Sequence, residues 1–202
     1  MDATTTASTT ATPRGRGRGG RERILGAAAR LFASQGINAT GMEQVAEEAP
    51  VSKRTLYAHF RTKSDLVIAH LQDLASSGAT LESALTREDI PPRERILGLF
   101  DPPATDADPV RGCPFIDAAA EFPDPRNEVH SYAREQKLRM VELVTALVTE
   151  LGCREPAALA EQLVTLADGA ASRAMVLGEA DYGRHARAAA KTLLAHALPD
   201  PA

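Results

Sequence analysis

The stretch TGMEQVAEEAPVSKRTLYAHFRTK, residues 40–63, decides the fold of this chain. Thr40 and Glu43 have the spacing of a capping box, in which a hydroxyl and a carboxylate accept the free backbone N–H groups at a helix start. Pro50 predicts the end of that helix, because it has no N–H to donate and disfavours helical geometry in the residue before it. Ser52 is a favourable N-cap for the next helix. The stretch therefore predicts two short helices joined by a turn.

The second of these helices has an apolar side and a polar side. Leu56 and Phe60 can anchor it to the interior, while its other side chains are mostly basic, hydroxylic or aromatic. Such side chains suit contacts with phosphates and with the edges of bases. Thr62 and Asp65 form a further capping pair, which predicts a third helix. This layout is typical of a helix-turn-helix, whose second helix enters the major groove of DNA.

The segment that precedes this stretch completes a recognisable unit. RERILGAAARLFASQG, residues 21–36, has an apolar face and ends in a glycine that suits a helix terminus. Together with VSKRTLYAHFRTKSDL, residues 51–66, it resembles the DNA-binding domain of the TetR (tetracycline-repressor-like) family of transcriptional regulators. The resemblance covers residues 21–71, about a quarter of the chain. One departure is Pro50, where many members of the family have glycine.

The resemblance implies a DNA-binding surface centred on the second helix of the pair. The matching positions are Thr40, Ser52, Lys53, Arg54, Thr55, Tyr57, His59 and Lys63. Basic side chains in the first turn of that helix can reach phosphate or guanine, and the hydroxyl-bearing ones suit sugar and thymine. The resemblance also implies a homodimer. Its two-fold symmetry would place two recognition helices about 34–36 Å apart, so the operator is expected to be palindromic.

The charge of the chain is unevenly distributed. Residues 1–70 hold ten Lys and Arg against six Asp and Glu, while the remainder holds thirteen against twenty-one, for a net charge of −4. A basic end on an acidic body is typical of a protein that presents one end to DNA. Residues 1–20 have low complexity and we expect them to be disordered. They form either a flexible leader or an arm whose Arg14, Arg16 and Arg18 contact phosphates or the minor groove.

The rest of the chain keeps a helical periodicity. Only 4% of the residues are aromatic and Ala and Leu are abundant, which favours helices over sheets. We expect an all-α fold of about nine helices, at about 21–35, 41–48, 52–59, 63–85, 92–100, 113–122, 126–151, 156–177 and 180–197. The expected regions are a basic arm at 1–20, a three-helix DNA-binding head at 21–65, and a helical body for ligand binding and dimerisation at 66–202.

A second, weaker resemblance lies in the body. GCPFIDAAAEF, residues 112–122, resembles a helix of a common subset of the same family, in which it borders an inducer pocket. The candidate pocket residues are Phe115, Ile116, Ala119, Phe122, Tyr132, Gln136 and Met140, although for most of them a place in the plain core is the favoured interpretation. A carboxylate of Asp117 or Glu121 facing an apolar cavity would favour a cationic lipophilic ligand. We expect instead that both carboxylates are solvated.

The last two long helices correspond to the dimerisation elements of the family. Small residues let helices approach closely, and this property is shared by Gly169, Ala170, Ala171 and Ala174 in the first of them and by the Ala-rich face of the second, with Leu193 and Leu194. Some of these residues must pack within the subunit instead. Periodicity alone does not divide them between the two roles.

The sequence lacks the motifs of the common enzyme and metal-binding classes. The five histidines lack metal-ligand spacing, and there is no P-loop or dinucleotide-binding motif. Cys113 and His130 form the one nucleophile–base pair to consider, and nothing near them predicts an oxyanion hole. We therefore expect no enzyme, no metal site and no cofactor, and we interpret Cys113 and Cys153 as small buried residues. An architectural DNA-binding protein with the same head and no inducer stays open.

We expect a dimeric, ligand-responsive transcriptional regulator. A repressor that an apolar small-molecule inducer releases from DNA is the favoured form, and an activator stays open because the sign of regulation depends on where the operator lies. No apolar run approaches the roughly 18 residues of a membrane span. The N-terminus lacks the apolar core of a signal peptide. The expected location is therefore the cytoplasm, at the nucleoid, without a membrane partner.

Overall fold

The computed structural model describes residues 18–78, 80–101, 112–178 and 183–198. Within these ranges the chain forms ten α-helices, one short 3-10 helix and no strand, so the predicted all-α class is confirmed. The helices are α1 Arg18–Gln35, α2 Met42–Glu48, α3 Lys53–His59, α4 Lys63–Ser76, α5 Glu82–Leu85, α6 Pro92–Leu97, α7 Pro114–Glu121, α8 Glu128–Glu150, α9 Pro156–Leu177 and α10 Gly183–Ala197, with the 3-10 helix at Gly98–Phe100. None of these described helices is long and apolar enough to cross a membrane.

The caps of α3 and α4 are those that the sequence predicts. The Ser52 hydroxyl accepts the Thr55 backbone N–H at 3.1 Å. At α4, the Thr62 hydroxyl accepts the Asp65 N–H at 3.0 Å, while the Asp65 carboxylate accepts the Thr62 N–H at 2.9 Å. These reciprocal bonds satisfy N–H groups that have no partner inside the helix, and they fix the place where each helix starts.

The predicted capping box of α2 is wrong. Gly41 is the N-cap of this helix, and no side chain caps it. The Thr40 hydroxyl instead donates to the Gly36 carbonyl at 2.8 Å and accepts from Gln35 Nε2 at 3.1 Å. Carbonyl groups at the end of a helix have no N–H donor within the helix. The buried Thr40 hydroxyl supplies a donor to the carbonyl of Gly36, which directly follows α1. Thr40 therefore joins α1 to the following turn.

Helix boundaries differ from the prediction at three places. The helix expected at 63–85 is divided into α4 and the short α5, because Gly78 adopts a φ of +75° that a helix does not accommodate. The helix expected at 92–100 finishes as the 3-10 helix, and α1 begins three residues earlier than predicted. The expectations for residues 1–17, for a loop at 102–111 and for a helix start at 180–182 lie outside the described residues.

The turn between α2 and α3 contains the departure from the family pattern. Pro50 has a φ of +21°, whereas the proline ring favours a φ of about −65°. The flanking residues are nevertheless well anchored, since Ala49 is buried and the Val51 N–H donates to the Ala46 carbonyl at 3.0 Å. The turn is thus formed at a cost in backbone strain.

Two apolar clusters hold the chain together, and α8 belongs to both. The first cluster joins α1–α4 to α7 and the start of α8, where Phe115, Ala118, Val129 and Ala133 are its buried members. The second joins α5, α6, the 3-10 helix and the remainder of α8 to α9 and α10. Because α7 and the start of α8 share a core with the head, a change in the body at that level can reach the head directly.

Candidate DNA-binding surface and ligand cleft

The α3 helix presents its polar side chains outward. Leu56 is fully buried and Phe60 nearly so, and the helix packs on α1 and α2. Lys53, Arg54 and Tyr57 are exposed, and Tyr57 has 47% of its surface accessible although its ring is largely apolar. An exposed aromatic among cations suits contact with sugar and base edges. Lys53, Arg54 and Tyr57 are thus three predicted members of this surface that are exposed, while Thr55 is half-buried.

Lys53 is paired with a carboxylate of the preceding helix. Its ammonium donates to Glu43 across the turn, and this hydrogen bond is the main reason why the pKa of Lys53 is raised above its ordinary value. Both side chains are largely exposed. The carboxylate of Glu43 thus occupies an N–H donor of Lys53 that could otherwise bind an external anion.

The start of α1 lies beside the end of α3. A Cβ atom added to Gly20 would come within 3.1 Å of His59 Nε2, and the Arg21 guanidinium lies 5.7 Å from the centre of the Phe60 ring. The first turn of α1 therefore lies next to α3.

Thr40, Ser52 and Lys63, which are also predicted to bind DNA, have contacts within the protein. Thr40 is only 1% exposed, and its hydroxyl is engaged within the protein, so the structure gives it no surface for a phosphate. The hydroxyl of Ser52 caps α3. Lys63 is half-buried and donates to the Asn38 carbonyl at 3.1 Å, and burial lowers its pKa below the ordinary value.

Glu121, at the end of α7, contacts the turn after α1. Its carboxylate accepts the backbone N–H groups of Ile37 and Asn38, and the Asn38 side-chain amide donates to the Glu121 carbonyl at 2.8 Å. The sequence suggested a solvated carboxylate or a ligand contact, and neither is what the structure shows. Free N–H donors after a helix end indicate that an acceptor is needed. The sequence does not predict which residue supplies it, because Glu121 lies 84 residues from Ile37.

An open cleft of about 360 Å³ lies between α7 and α8. Its lining consists of Phe115, Ile116, Ala119 and Ala120 from α7 and of His130, Ala133, Arg134 and Lys137 from α8. We call it the α7–α8 cleft. The predicted pocket residues Phe115, Ile116 and Ala119 therefore line it.

The other four predicted pocket residues do not line the α7–α8 cleft. The Tyr132 ring packs against Phe115, with ring centres 6.4 Å apart. Phe122 packs on the first apolar cluster, and Met140 is buried in the second. Gln136 lies half-buried on α8. Sequence reasoning missed the three basic or imidazole side chains of α8, whose spacing would have placed them on one helix face.

The basic side chains of the α7–α8 cleft differ in their partners. Lys137 forms an ion pair with Asp168 of α9, and both side chains are mostly buried. His130 Nδ1 is hydrogen-bonded to the Phe122 carbonyl at 2.8 Å. Nearby, burial raises the pKa of the Cys113 thiol, which keeps it protonated and a poor nucleophile. No group of three His, Cys, Asp or Glu side chains in the described ranges is arranged to hold a metal.

The fold and the exposed face of α3 define a DNA-binding protein of the helix-turn-helix class. The family model for bacterial regulatory proteins of the tetR family matches residues 24–70. A crystal structure of a TetR transcriptional regulator from Streptomyces avermitilis shares 30% identity and a TM-score of 0.74, over 88% of this chain and 97% of that one. The chain belongs to the TetR family of transcriptional regulators, which are not enzymes.

Two further relatives are similar to this protein over most of its chain. A TetR-family transcriptional regulator from Streptomyces coelicolor is 28% identical with a TM-score of 0.77, over 90% of this chain and 97% of that one. The HTH-type transcriptional regulator YjdC of Escherichia coli K12 is 28% identical over 159 residues, which are 77% of this chain and 83% of that protein. The similarity thus includes the body as well as the DNA-binding head.

Proposed function

We propose that this protein is a dimeric repressor that binds a palindromic operator and is released from it by a small molecule in the α7–α8 cleft. The observation that carries the proposal is the double role of α7. This helix lines the cleft with Ile116 and Ala119, and it holds the turn before α2 through Glu121. A molecule that displaces α7 would therefore also displace the helix-turn-helix.

The operator contacts would come mainly from α3. Lys53, Arg54 and His59 would reach phosphates or guanine, while Thr55 and Tyr57 would contact sugars and bases. Ser52 and Lys63 flank this surface and would add phosphate contacts. We assign Thr40 no DNA contact, because it is buried.

Dimerisation is proposed to use the outer faces of α9 and α10. Ala170, Ala171 and Ala174 are already buried within the subunit, so they are not available for the interface. Gly169 and Val176 are exposed on α9, and 76% of the surface of Val176 is accessible. An exposed valine beside small residues suits close packing against a second copy. In this proposal residues 21–65 bind DNA and residues 66–202 bind ligand and dimerise, in a cytoplasmic protein.

Release follows from linkage between the two sites. A ligand that binds more tightly to dimers whose heads are wrongly spaced shifts the population away from the DNA-competent form. A coupling free energy of about 3 kcal/mol would lower the operator affinity roughly 150-fold. Besides α7, the α4 helix can transmit the change, since it packs against both α1 and α8.

The proposal is tested by footprinting the purified protein on the DNA that flanks its own gene, over a series of salt concentrations. We expect a protected palindrome with affinity near 10⁻⁸–10⁻¹¹ M and a steep dependence on salt. The variant Arg54→Ala should lose protection, whereas Arg93→Ala, in the body, should keep it. Weak protection without a preferred site, on wider genomic DNA as well, would favour an architectural DNA-binding protein.

A further inference from the structure

The two walls of the α7–α8 cleft differ in chemistry. The α7 wall is entirely apolar, being formed by Phe115, Ile116 and two alanines. The α8 wall carries His130, Arg134 and Lys137, at positions i, i+4 and i+7 of one helix. Side chains at this spacing lie on the same face over two successive turns. The cleft therefore has one apolar wall and one wall that carries an imidazole, a guanidinium and an ammonium group.

The balance of charge in this cleft is positive. None of the described residues that line it is Asp or Glu. The charge of Lys137 is neutralised by Asp168. Arg134, in contrast, has no hydrogen bond or ion pair with any residue in the described ranges, and it is exposed at the cleft. A guanidinium pairs well with a carboxylate, because two parallel N–H donors match its two oxygens.

The acidic candidates on α7 do not oppose this charge. Glu121 is bound to the turn after α1, and Asp117 is absent from the lining of the cleft. A cationic ligand would therefore meet Arg134 and no described lining carboxylate, and a cation beside an uncompensated cation is disfavoured. A ligand that is wholly apolar would gain no pairing with Arg134, the exposed cation of the α8 wall.

We propose that the α7–α8 cleft binds an amphipathic anion, which has an apolar chain against α7 and a carboxylate bound by Arg134. This inference deepens the proposed function and rests on it, because it names the chemical class of the releasing ligand. A volume of about 360 Å³ is sufficient for a medium-chain carboxylic acid.

The test is calorimetric titration of the full chain with octanoate, octylamine and octanol, three probes with the same apolar chain and different heads. We expect octanoate to bind at least about tenfold more tightly than the other two, as charge-assisted pairing implies. Arg134→Gln should remove this preference and leave octanol binding unchanged, while Arg134→Lys should keep part of it. The control Arg126→Gln removes one positive charge from a side chain that is 89% exposed and lies outside the cleft lining, and it should change nothing.

Several outcomes would overturn the inference. Equal or tighter binding of octylamine or octanol would do so, and so would a loss of all three ligands in folded Arg134→Gln protein. If none of the three probes binds to protein that protects its operator, the inference about the ligand is rejected and the proposed DNA-binding function stands. Conversely, absence of an operator would reject the proposed function, whereas the calorimetric preference for octanoate would still be measured independently. Release of the operator footprint by octanoate, and not by octylamine, would support both.

Discussion

The carboxylate of Glu121 accepts the backbone N–H of Ile37 at 2.8 Å, across 84 residues of sequence. The same carboxylate accepts the N–H of Asn38, so one side chain satisfies two donors that follow the end of α1. A Cβ atom on the adjacent Gly36, whose φ is +92°, would come within 3.3 Å of the Glu121 Oε1 atom. This contact joins the helix that lines the cleft to the turn that precedes α2.

Replacement Glu121→Gln should loosen this contact, because an amide accepts through one oxygen and presents an NH₂ to the other donor. We expect a loss of about 1.5–3 kcal/mol in the free energy of unfolding, the range for hydrogen bonds to a charged group. Denaturant unfolding measures the loss, and hydrogen exchange at Ile37 and Asn38 locates it. Glu142→Gln, at an exposed position of α8, is the control. Unchanged exchange at both amides would show that the contact is not formed in solution.

Replacement Glu43→Gln should strengthen binding to nonspecific duplex DNA. The ion pair between Lys53 and Glu43 would no longer have to break before Lys53 binds a phosphate. The replacement would also remove one negative charge from the proposed DNA-binding surface. We expect a gain of about two- to fivefold for each head, in keeping with an exposed ion pair. Asp89→Asn removes an equally exposed charge from the body. Equal affinities for the two variants, measured by fluorescence anisotropy at two salt concentrations, would contradict this role of Glu43.

The double replacement of Arg14 and Arg16 by Gln should reduce the salt dependence of operator binding. The chain enters α1 beside His59 of the recognition helix, so the first described turn of α1 lies next to the proposed DNA-binding surface. Loss of two phosphate contacts per subunit would make the log–log salt slope shallower by about 1.8 per subunit. Replacing Arg93 and Arg126 removes the same charge from the body. If the slope matches that of this control, the segment is a leader without DNA contacts.

Protein stability should fall as the pH is lowered through the range below about 6.5. Burial lowers the pKa of His70 from its ordinary value of 6.5, and its ring packs edge-on against Phe32 at 5.4 Å. The unfolded chain therefore binds a proton more readily, so the contribution of His70 is fully present above pH 6.5 and is lost toward its lower folded pKa. Urea unfolding from pH 8 to pH 5 should show a flatter profile for His70→Gln. The exposed His185→Gln should leave the profile unchanged.

Replacement Pro50→Gly should stabilise the protein. Glycine adopts a positive φ freely, whereas Pro50 at +21° departs far from the geometry of its ring. Relief of strain, near the upper end of about 1–3 kcal/mol for a ring so far from its preferred φ, should exceed the entropy that the unfolded chain gains. That gain is about 0.4–1 kcal/mol for each of the two steps, from proline to an ordinary residue and from there to glycine. Each net kcal/mol raises the Tm by about 2–4 °C in a chain of this size. Pro91 has an ordinary φ of −60°, so Pro91→Gly should lower the Tm. A fall in Tm for both variants would refute strain at Pro50.

Much of the DNA-binding head could be predicted because its signals are local. Ser52 caps α3 and Thr62 with Asp65 caps α4, since a cap needs only residues two or three positions apart. Gly36 and Gly152 adopt positive φ after helices, and Pro156 begins α9. The burial of Leu56 follows from helical periodicity in the same way. These features depend on neighbours in sequence, and the sequence alone therefore determined the helices and the outward face of α3.

The tertiary structure decided what depends on distant partners. Thr40 has the spacing of a capping residue, but the free carbonyl at the end of α1 competes successfully for its hydroxyl. The buried small residues of α9 pack inside the subunit, which periodicity could not distinguish from packing between subunits. The cleft takes one wall from α7 and the other from α8, so neither segment by itself specifies its charge. Glu121 likewise meets Ile37 only because α7 shares a core with the head, and a contact of that kind leaves no periodic or local trace in the sequence.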